Sequence, residues 1–183
     1  MVKFVGDLSL QDASVLEHYA ANATSILEFG VGGSTQIFAQ VAKGTGFSFD
    51  TDRGWIERTN LELQKLNLKW KMIHESEWDR KGVFDLIFND GRDDWRRDLG
   101  LLGFSLLKEG GHLIYHDTRR VGDVLNVTKL IETYFNEIDE IHMNMWHSNM
   151  TVIRKKAAEP YVNWHAIEGK PEWMYGNGDK PDA

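Results

Sequence analysis

The sequence predicts an α/β fold, a mostly parallel sheet with helices on both faces that closes in an antiparallel hairpin. Three observations predict it. Short apolar runs alternate along the chain with segments of helical period. The first such run ends in a glycine-rich turn, as a strand does before a crossover helix. Near the end, two strand-like runs are separated by only Trp146-His147-Ser148-Asn149, too short for a crossover helix and right for a hairpin.

The elements follow in order. Ser9 precedes the first helical stretch with Asp12 three residues on, a capping-box spacing, and Val15, Leu16, Tyr19, Ala20 and Ala23 share one apolar face. Ile26-Leu27-Glu28-Phe29 reads as a strand stopped by Gly30-Val31-Gly32-Gly33, and the next helix turns Ile37, Phe38 and Val41 inward. Gly46 to Asp50 is strand-like, and Trp55 to Leu66 carries Ile56, Leu63 and Leu66 at helical spacing. Leu68 to His74 alternates like a strand. Val83 to Phe88 is nearly continuous in apolar residues, as a strand covered on both faces should be. Trp95, Leu99, Leu102 and Leu106 mark a helix, His112 to Tyr115 a strand, and Val124, Val127, Ile131 and Phe135 another helix. Ile138 to Met145 and Met150 to Arg154 form the hairpin, whose last strand should be antiparallel. Right-handed crossovers leave few other arrangements of these elements.

With 183 residues and 42% hydrophobic content the chain fits one domain with one sizeable core. That domain spans residues 1–156. Residues 157–183 form an irregular tail with Pro160, Pro171 and Pro181 and with Tyr161, Trp164, Trp173 and Tyr175. Those aromatics are too many for a solvated linker, so the tail is expected to pack on the sheet, at a substrate entrance or in a homodimer contact. The chain has no cysteine, which excludes disulfides and thiolate zinc sites and fits a reducing, cytoplasmic setting. A net charge of −7, from 28 acidic against 21 basic residues, works against a nucleic-acid partner, which needs clustered cations. No run reaches the roughly 18 apolar residues of a membrane span, so a soluble protein is expected.

Function should gather at the glycine turn. In an open parallel sheet, ligands sit beyond the carboxyl ends of the strands, where the first strand-to-helix turn offers free N–H groups. Gly30, Gly32 and Gly33 permit positive φ and close approach, and Ser34 and Thr35 can cap the helix. Asp50 ends the second strand twenty residues after Gly30, the spacing at which a carboxylate meets ribose hydroxyls. A dinucleotide fingerprint would need a third glycine where this chain has Thr35. Glu28, just before the turn, suits a ligand with a positive amino group better than a pyrophosphate.

These residues resemble the class I S-adenosylmethionine-dependent methyltransferases. The resemblance runs through Glu28-Phe29-Gly30-Val31-Gly32-Gly33-Ser34-Thr35, the acid Asp50, Phe84-Asp85-Leu86-Ile87-Phe88-Asn89-Asp90-Gly91 and Leu107-Lys108-Glu109-Gly110-Gly111-His112-Leu113-Ile114, over about residues 25–155. It implies a Rossmann-like three-layer sandwich on a seven-stranded sheet, with S-adenosyl-L-methionine as cofactor. Glu28 and the turn would then hold the methionine part, and Asp50, with Thr51 beside it, the ribose. Ser76, Glu77 and Trp78 after the third strand and Asn89, Asp90 and Gly91 after the fourth would flank the adenine.

Methyl transfer asks the protein to align an acceptor, exclude water and, for a hydroxyl acceptor, remove a proton. Asp90, His116, Asp117 and His147 are expected on one rim at the carboxyl ends of the strands, with His116 or His147 as general base. Asp90 and the Asp117-Thr118 pair look like the metal positions of the catechol O-methyltransferase-like branch, which implies a divalent cation such as Mg2+. Thr118 departs from that pattern. Arg92-Asp93-Asp94-Trp95-Arg96-Arg97-Asp98 reads as a solvated helix start with nearly cancelling charges. The leading expectation is a methyltransferase acting on a small-molecule acceptor, at oxygen. The alternatives are an NAD-dependent oxidoreductase of Rossmann type, weighed against by Thr35, and a non-catalytic nucleoside-binding module.

Overall fold

The computed structural model describes residues 4–157. The predicted tail and its homodimer contact lie outside these residues. One seven-stranded sheet has the order β3-β2-β1-β4-β5-β7-β6. Its strands are β1 (Ser25–Phe29), β2 (Thr45–Asp50), β3 (Lys71–His74), β4 (Phe84–Asn89), β5 (Leu107–Tyr115), β6 (Ile138–His142) and β7 (Thr151–Lys155). The first five pair in parallel, while β7 runs antiparallel to both β5 and β6. The α/β fold class and the closing hairpin stand as predicted.

Among the described residues, five α-helices cover the sheet: α1 (Leu10–Ala20), α2 (Gly33–Val41), α3 (Arg53–Lys65), α4 (Arg96–Leu106) and α5 (Val121–Tyr134). Strand alternation sorts the core into two layers. Ile26, Leu86, Phe88, Ile114 and Val152 meet Val15, Leu16, Ile37 and Phe38 from α1 and α2. Leu27, Phe29, Ile87, Leu113, Tyr115 and Ile153 meet Leu99, Phe104, Val127 and Leu130 from α4 and α5. Ser9 and Asp12 form the predicted capping box.

Several expectations shift. The inward face of α4 is Arg96, Leu99, Gly100, Gly103 and Phe104, while Leu102 and Leu106 are only half-buried. Gly100 and Gly103 let the helix approach Tyr115 and Phe29 closely. Phe135 and Leu66 lie past the ends of their helices and are exposed, because the last turns clear the sheet. Ile138 to Met145 is a strand only to His142, after which Asn144, Trp146 and His147 take left-handed backbone conformations that bend the chain into a 3-10 turn.

The order of strand addition reverses between β1 and β4, which pair in parallel while later strands are added outward on both sides. Such a switch point opens a crevice at the carboxyl ends of its two strands.

Candidate active site

Backbone pairing continues past the strand ends and fixes the floor of the crevice. The Gly30 N–H donates to Phe49 O at 2.9 Å, Asp90 N–H to Phe29 O at 2.8 Å and His116 N–H to Asn89 O at 3.2 Å. Gly30, Asp90 and His116 are therefore held in sheet register. Gly30 has φ +89°, and a Cβ there would sit 2.3 Å from Asp90 O, so only glycine fits between β1 and β4. A cavity of about 680 Å³ opens above this floor. Gly30 to Ser34, Asp50 to Arg53, Trp55, Asp90 to Asp93, Arg96 and His116 line it, with Val5 to Leu8 as a further wall.

Two acids organise the turn, and they do so differently. Asp50 faces the cavity. Its carboxylate accepts from the Val31 N–H at 3.0 Å and from the Asp52 N–H at 2.8 Å, tying the glycine turn to the end of β2. Each oxygen keeps a further lone pair for a ligand hydroxyl. Glu28 is fully buried beneath the turn, at the register position opposite Ser48. The Ser34, Thr35 and Ser48 hydroxyls all hydrogen-bond to its carboxyl group. Burial pushes the Glu28 carboxyl up to about 8 against the pull of those hydroxyls, so it is largely protonated at neutral pH. Thr35 Oγ1 also accepts from the Gly32 N–H at 3.0 Å, whereas Ser34 turns to Glu28 and makes no helix cap.

Below the far wall lies a charge network. The His116 ring is buried, with Nδ1 3.2 Å from Asp90 Oδ1 and Nε2 3.6 Å from Asp12 Oδ2. Asp117 Oδ1 stands 3.8 Å from Nδ1. Neither ring nitrogen is aligned for a hydrogen bond, so the attraction is between charges. Burial alone would lower the His116 pKa, but Asp12, Asp90 and Asp117 outweigh it and push it up to about 10. Arg96, 5% exposed, donates to Gly91 O and to the carboxylates of Asp90, Asp117 and Asp123. Arg120 adds ion pairs to Asp93, Asp117 and Asp123.

No family model matches the sequence, and no curated protein matches it either. Solved structures do match. The O-methyltransferase TomG from Streptomyces achromogenes, in complex with SAM, is 14% identical, with 82% of each chain covered and a TM-score of 0.64. The O-methyltransferase from Bacillus cereus in complex with SAH is 16% identical, covering 81% of this chain and 83% of that one at a TM-score of 0.61. This chain has the class I S-adenosylmethionine-dependent methyltransferase fold. A precorrin 8w decarboxylase from Methanobacterium thermoautotrophicum also matches, at 12% identity, 83% and 92% coverage and a TM-score of 0.63. Chemistry on this methyltransferase fold must therefore be argued from the site.

The fold brings Gly30, Gly32, Gly33, Ser34, Asp50, Thr51, Asp90, Gly91 and His116 to one cavity, and it separates the other expected residues from it. Glu28 and Thr35 lie under the turn, and Asn89 is buried with its amide donating to Arg96 O. Ser76 and Glu77 lie outside the cavity, engaged with His74 and Arg53, and Trp78 stacks on Phe29 and Phe49. His147 is exposed and points to no cavity group among the described residues, since the 3-10 turn carries it outward. His116 lies at the expected place, and the carboxylates around it favour its protonated form, which weighs against the role of general base. Sequence reasoning missed Arg96, Asp12 and the wall from Val5 to Leu8. Arg96 was detectable: it stands at i with Leu99, Gly100, Gly103 and Phe104 at i+3, i+4, i+7 and i+8, the buried face of α4.

The divalent-cation expectation does not fit this donor set. Asp90 and Asp117 are already engaged by the Arg96 guanidinium. Thr118 is buried and turned to Asn149 O and Thr151 Oγ1, away from Asp90.

Proposed function

We propose that this chain is an S-adenosylmethionine-dependent methyltransferase acting on a small-molecule acceptor, at oxygen. The observation that carries the reading is the cavity at the β1/β4 switch point, where the glycine turn and the Asp50 carboxylate share one rim. Its volume lies in the range of small-molecule sites, roughly 300–1,000 Å³. The solved methyltransferases of the same fold that hold SAM or SAH support the same cofactor here.

Bound there, S-adenosylmethionine would supply a methyl group already activated on sulfonium sulfur. Asp50 accepts hydrogen bonds from the ribose hydroxyls, and Gly33 and Ser34 present the first N–H groups of α2, which have no partner inside the helix. Gly91, just past the end of β4, lines the cavity beside the turn where the base would lie. An acceptor enters past Arg53, Trp55 and Arg92, with Val5 to Leu8 excluding water from one side. His116 and Arg96 hold the Asp90 carboxylate in place at the floor of the cavity. Asp90, whose side chain is 30% exposed, lines the cavity beside them and can accept a hydrogen bond from an acceptor hydroxyl.

Calorimetric titration with S-adenosylmethionine, S-adenosylhomocysteine and NAD in parallel tests the cofactor, with Asp50→Ala as control. The first two should bind with one site per chain, and the substitution should weaken both by at least about tenfold, the loss of one charged hydrogen-bond partner. Binding of NAD alone, or of none of the three, would overturn the reading. A screen of hydroxylated acceptors against amine and thiol acceptors then tests the oxygen assignment.

A further inference from the structure

The acids at the ends of β4 and β5 have the donor types of a divalent-cation site, and a side chain of the protein already meets their charge. Asp90, His116 and Asp117 each place a ligand-type atom within 4.8 Å of the others. The Arg96 guanidinium enters the same cluster from the first turn of α4. One terminal nitrogen lies 2.9 Å from Asp90 Oδ1, and the other lies 3.2 Å from both Asp117 Oδ2 and Asp123 Oδ1. Nε donates to Gly91 O at 3.0 Å.

We propose that Arg96 is a built-in cation that occupies the place of a divalent ion, so that this site works without one. Metal-free transfer rests on the methyltransferase reading; occupancy of the acid cluster by Arg96 does not. A planar guanidinium with five donors can bridge three carboxylates and a carbonyl at once, which an ammonium on a flexible stem cannot. Three further features agree. The Arg96 side chain is 5% exposed, so an ion entering the cluster would have to leave its charge buried and unpaired. Arg120 supplies a second cation to Asp117 and Asp123 from the other side. The Asn149 amide takes the remaining oxygen of Asp117, donating to Oδ1 at 2.9 Å.

The test is Mn2+ binding followed by electron paramagnetic resonance, which needs no turnover. Four chains are compared: the wild type, Asp117→Asn, Arg96→Ala, and Arg96→Ala combined with Asp117→Asn. The wild type should show no Mn2+ signal change that Asp117→Asn removes. Arg96→Ala, checked for folding by circular dichroism, should bind one equivalent that the added Asp117→Asn abolishes. A wild-type chain that binds one equivalent lost in Asp117→Asn would overturn the proposal, and this comparison stands even if Arg96→Ala fails to fold. A folded Arg96→Ala chain that leaves Mn2+ free would overturn it as well, because the guanidinium would not then be what fills the site. Calorimetry with S-adenosylhomocysteine, the demethylated product of S-adenosylmethionine, in the same buffer tells the two readings apart: lost cofactor binding sinks the methyltransferase assignment, whereas Mn2+ binding to the wild type sinks only this one.

Discussion

The His116 Nδ1 lies 3.2 Å from the Asp90 carboxylate, and Asp12 stands 3.6 Å from the other ring nitrogen. The ring thus joins α1 to the ends of β4 and β5. A carboxylate on each side selects the imidazolium, so the charge that His116 brings to the cavity wall is fixed by residues far apart in sequence.

That geometry predicts the titration of His116. Its folded pKa is raised from 6.5 to about 10, so the stability it contributes is fully present below pH 6.5 and is lost as pH rises through about 10. Nitrogen-15 spectra of the ring should show both nitrogens protonated at pH 8. Asp12→Asn should lower the midpoint by removing the neighbouring charge. A neutral ring at pH 7 in the wild type would refute the assignment and return His116 to the role of base.

Glu28 gives a second pH effect from the opposite cause. Burial holds its carboxyl protonated up to about pH 8, while in the unfolded chain it ionises near 4.5. Stability from Glu28 is therefore complete below pH 4.5 and falls as pH rises to about 8. At about 1.4 kcal/mol per pKa unit, the loss is on the order of 5 kcal/mol. Glu28→Gln keeps the shape and hydrogen-bonding capacity without the proton. Urea unfolding at pH 5 and pH 8.5 should show a smaller decline for this variant than for the wild type. Equal declines would mean that Glu28 does not stay protonated in the folded chain.

Local signals were the legible ones. The capping box at Ser9 and Asp12, the glycine turn and the short hairpin loop are each set by neighbours in sequence, and together they give the sheet and the position of the cavity. What stayed hidden depends on partners distant along the chain. Arg96 sits among charges whose signs cancel in sequence, yet its burial follows from Asp117 and Asp123, which reach it only once α5 packs on α4. Trp78 follows β3 at the expected adenine position, but the rings of Phe29 and Phe49 draw it into the core. Glu28 looks like a ligand-facing acid because strand alternation does not reveal that Ser48 faces it from β2.

Close approach of α4 to the sheet should make its glycines unequal to those elsewhere. A Cβ on Gly100 would clash with the hydroxyl oxygen of Tyr115, a fully buried side chain. Gly100→Ala should cost at least about 1–3 kcal/mol, the usual penalty of overpacking. Gly122, in the first turn of α5, meets nothing within 4 Å. Gly122→Ala should instead stabilise by up to about 1 kcal/mol through helix propensity. Thermal unfolding of the two variants checks the pair; a Gly100→Ala chain as stable as the wild type would mean that α4 does not pack this closely.

At the opposite end of the strands from the cavity, Asp85 offers a test in which stability should change and the cavity should not. Its carboxylate accepts the Thr24 and Ser25 N–H groups at 2.9 Å each, along with both hydroxyls, and pairs with Lys108 at 2.9 Å. Partial burial would raise its pKa, but the bonds from Thr24 and Lys108 hold it below the ordinary carboxylate range. Its contribution is thus present above about pH 4 and is lost as pH falls through its lowered folded value. Asp85→Ala leaves two N–H groups at the start of β1 without this acceptor and should cost roughly 1–3 kcal/mol at pH 7. The penalty should shrink as pH falls below about 4, because the unfolded wild-type chain then takes up a proton on Asp85 that the folded chain does not. S-adenosylhomocysteine affinity should stay at its wild-type value, since Asp85 lies at the far end of β4 from Asp90. A variant that loses affinity without losing stability would mean that the two ends of the sheet are coupled in a way this packing does not provide.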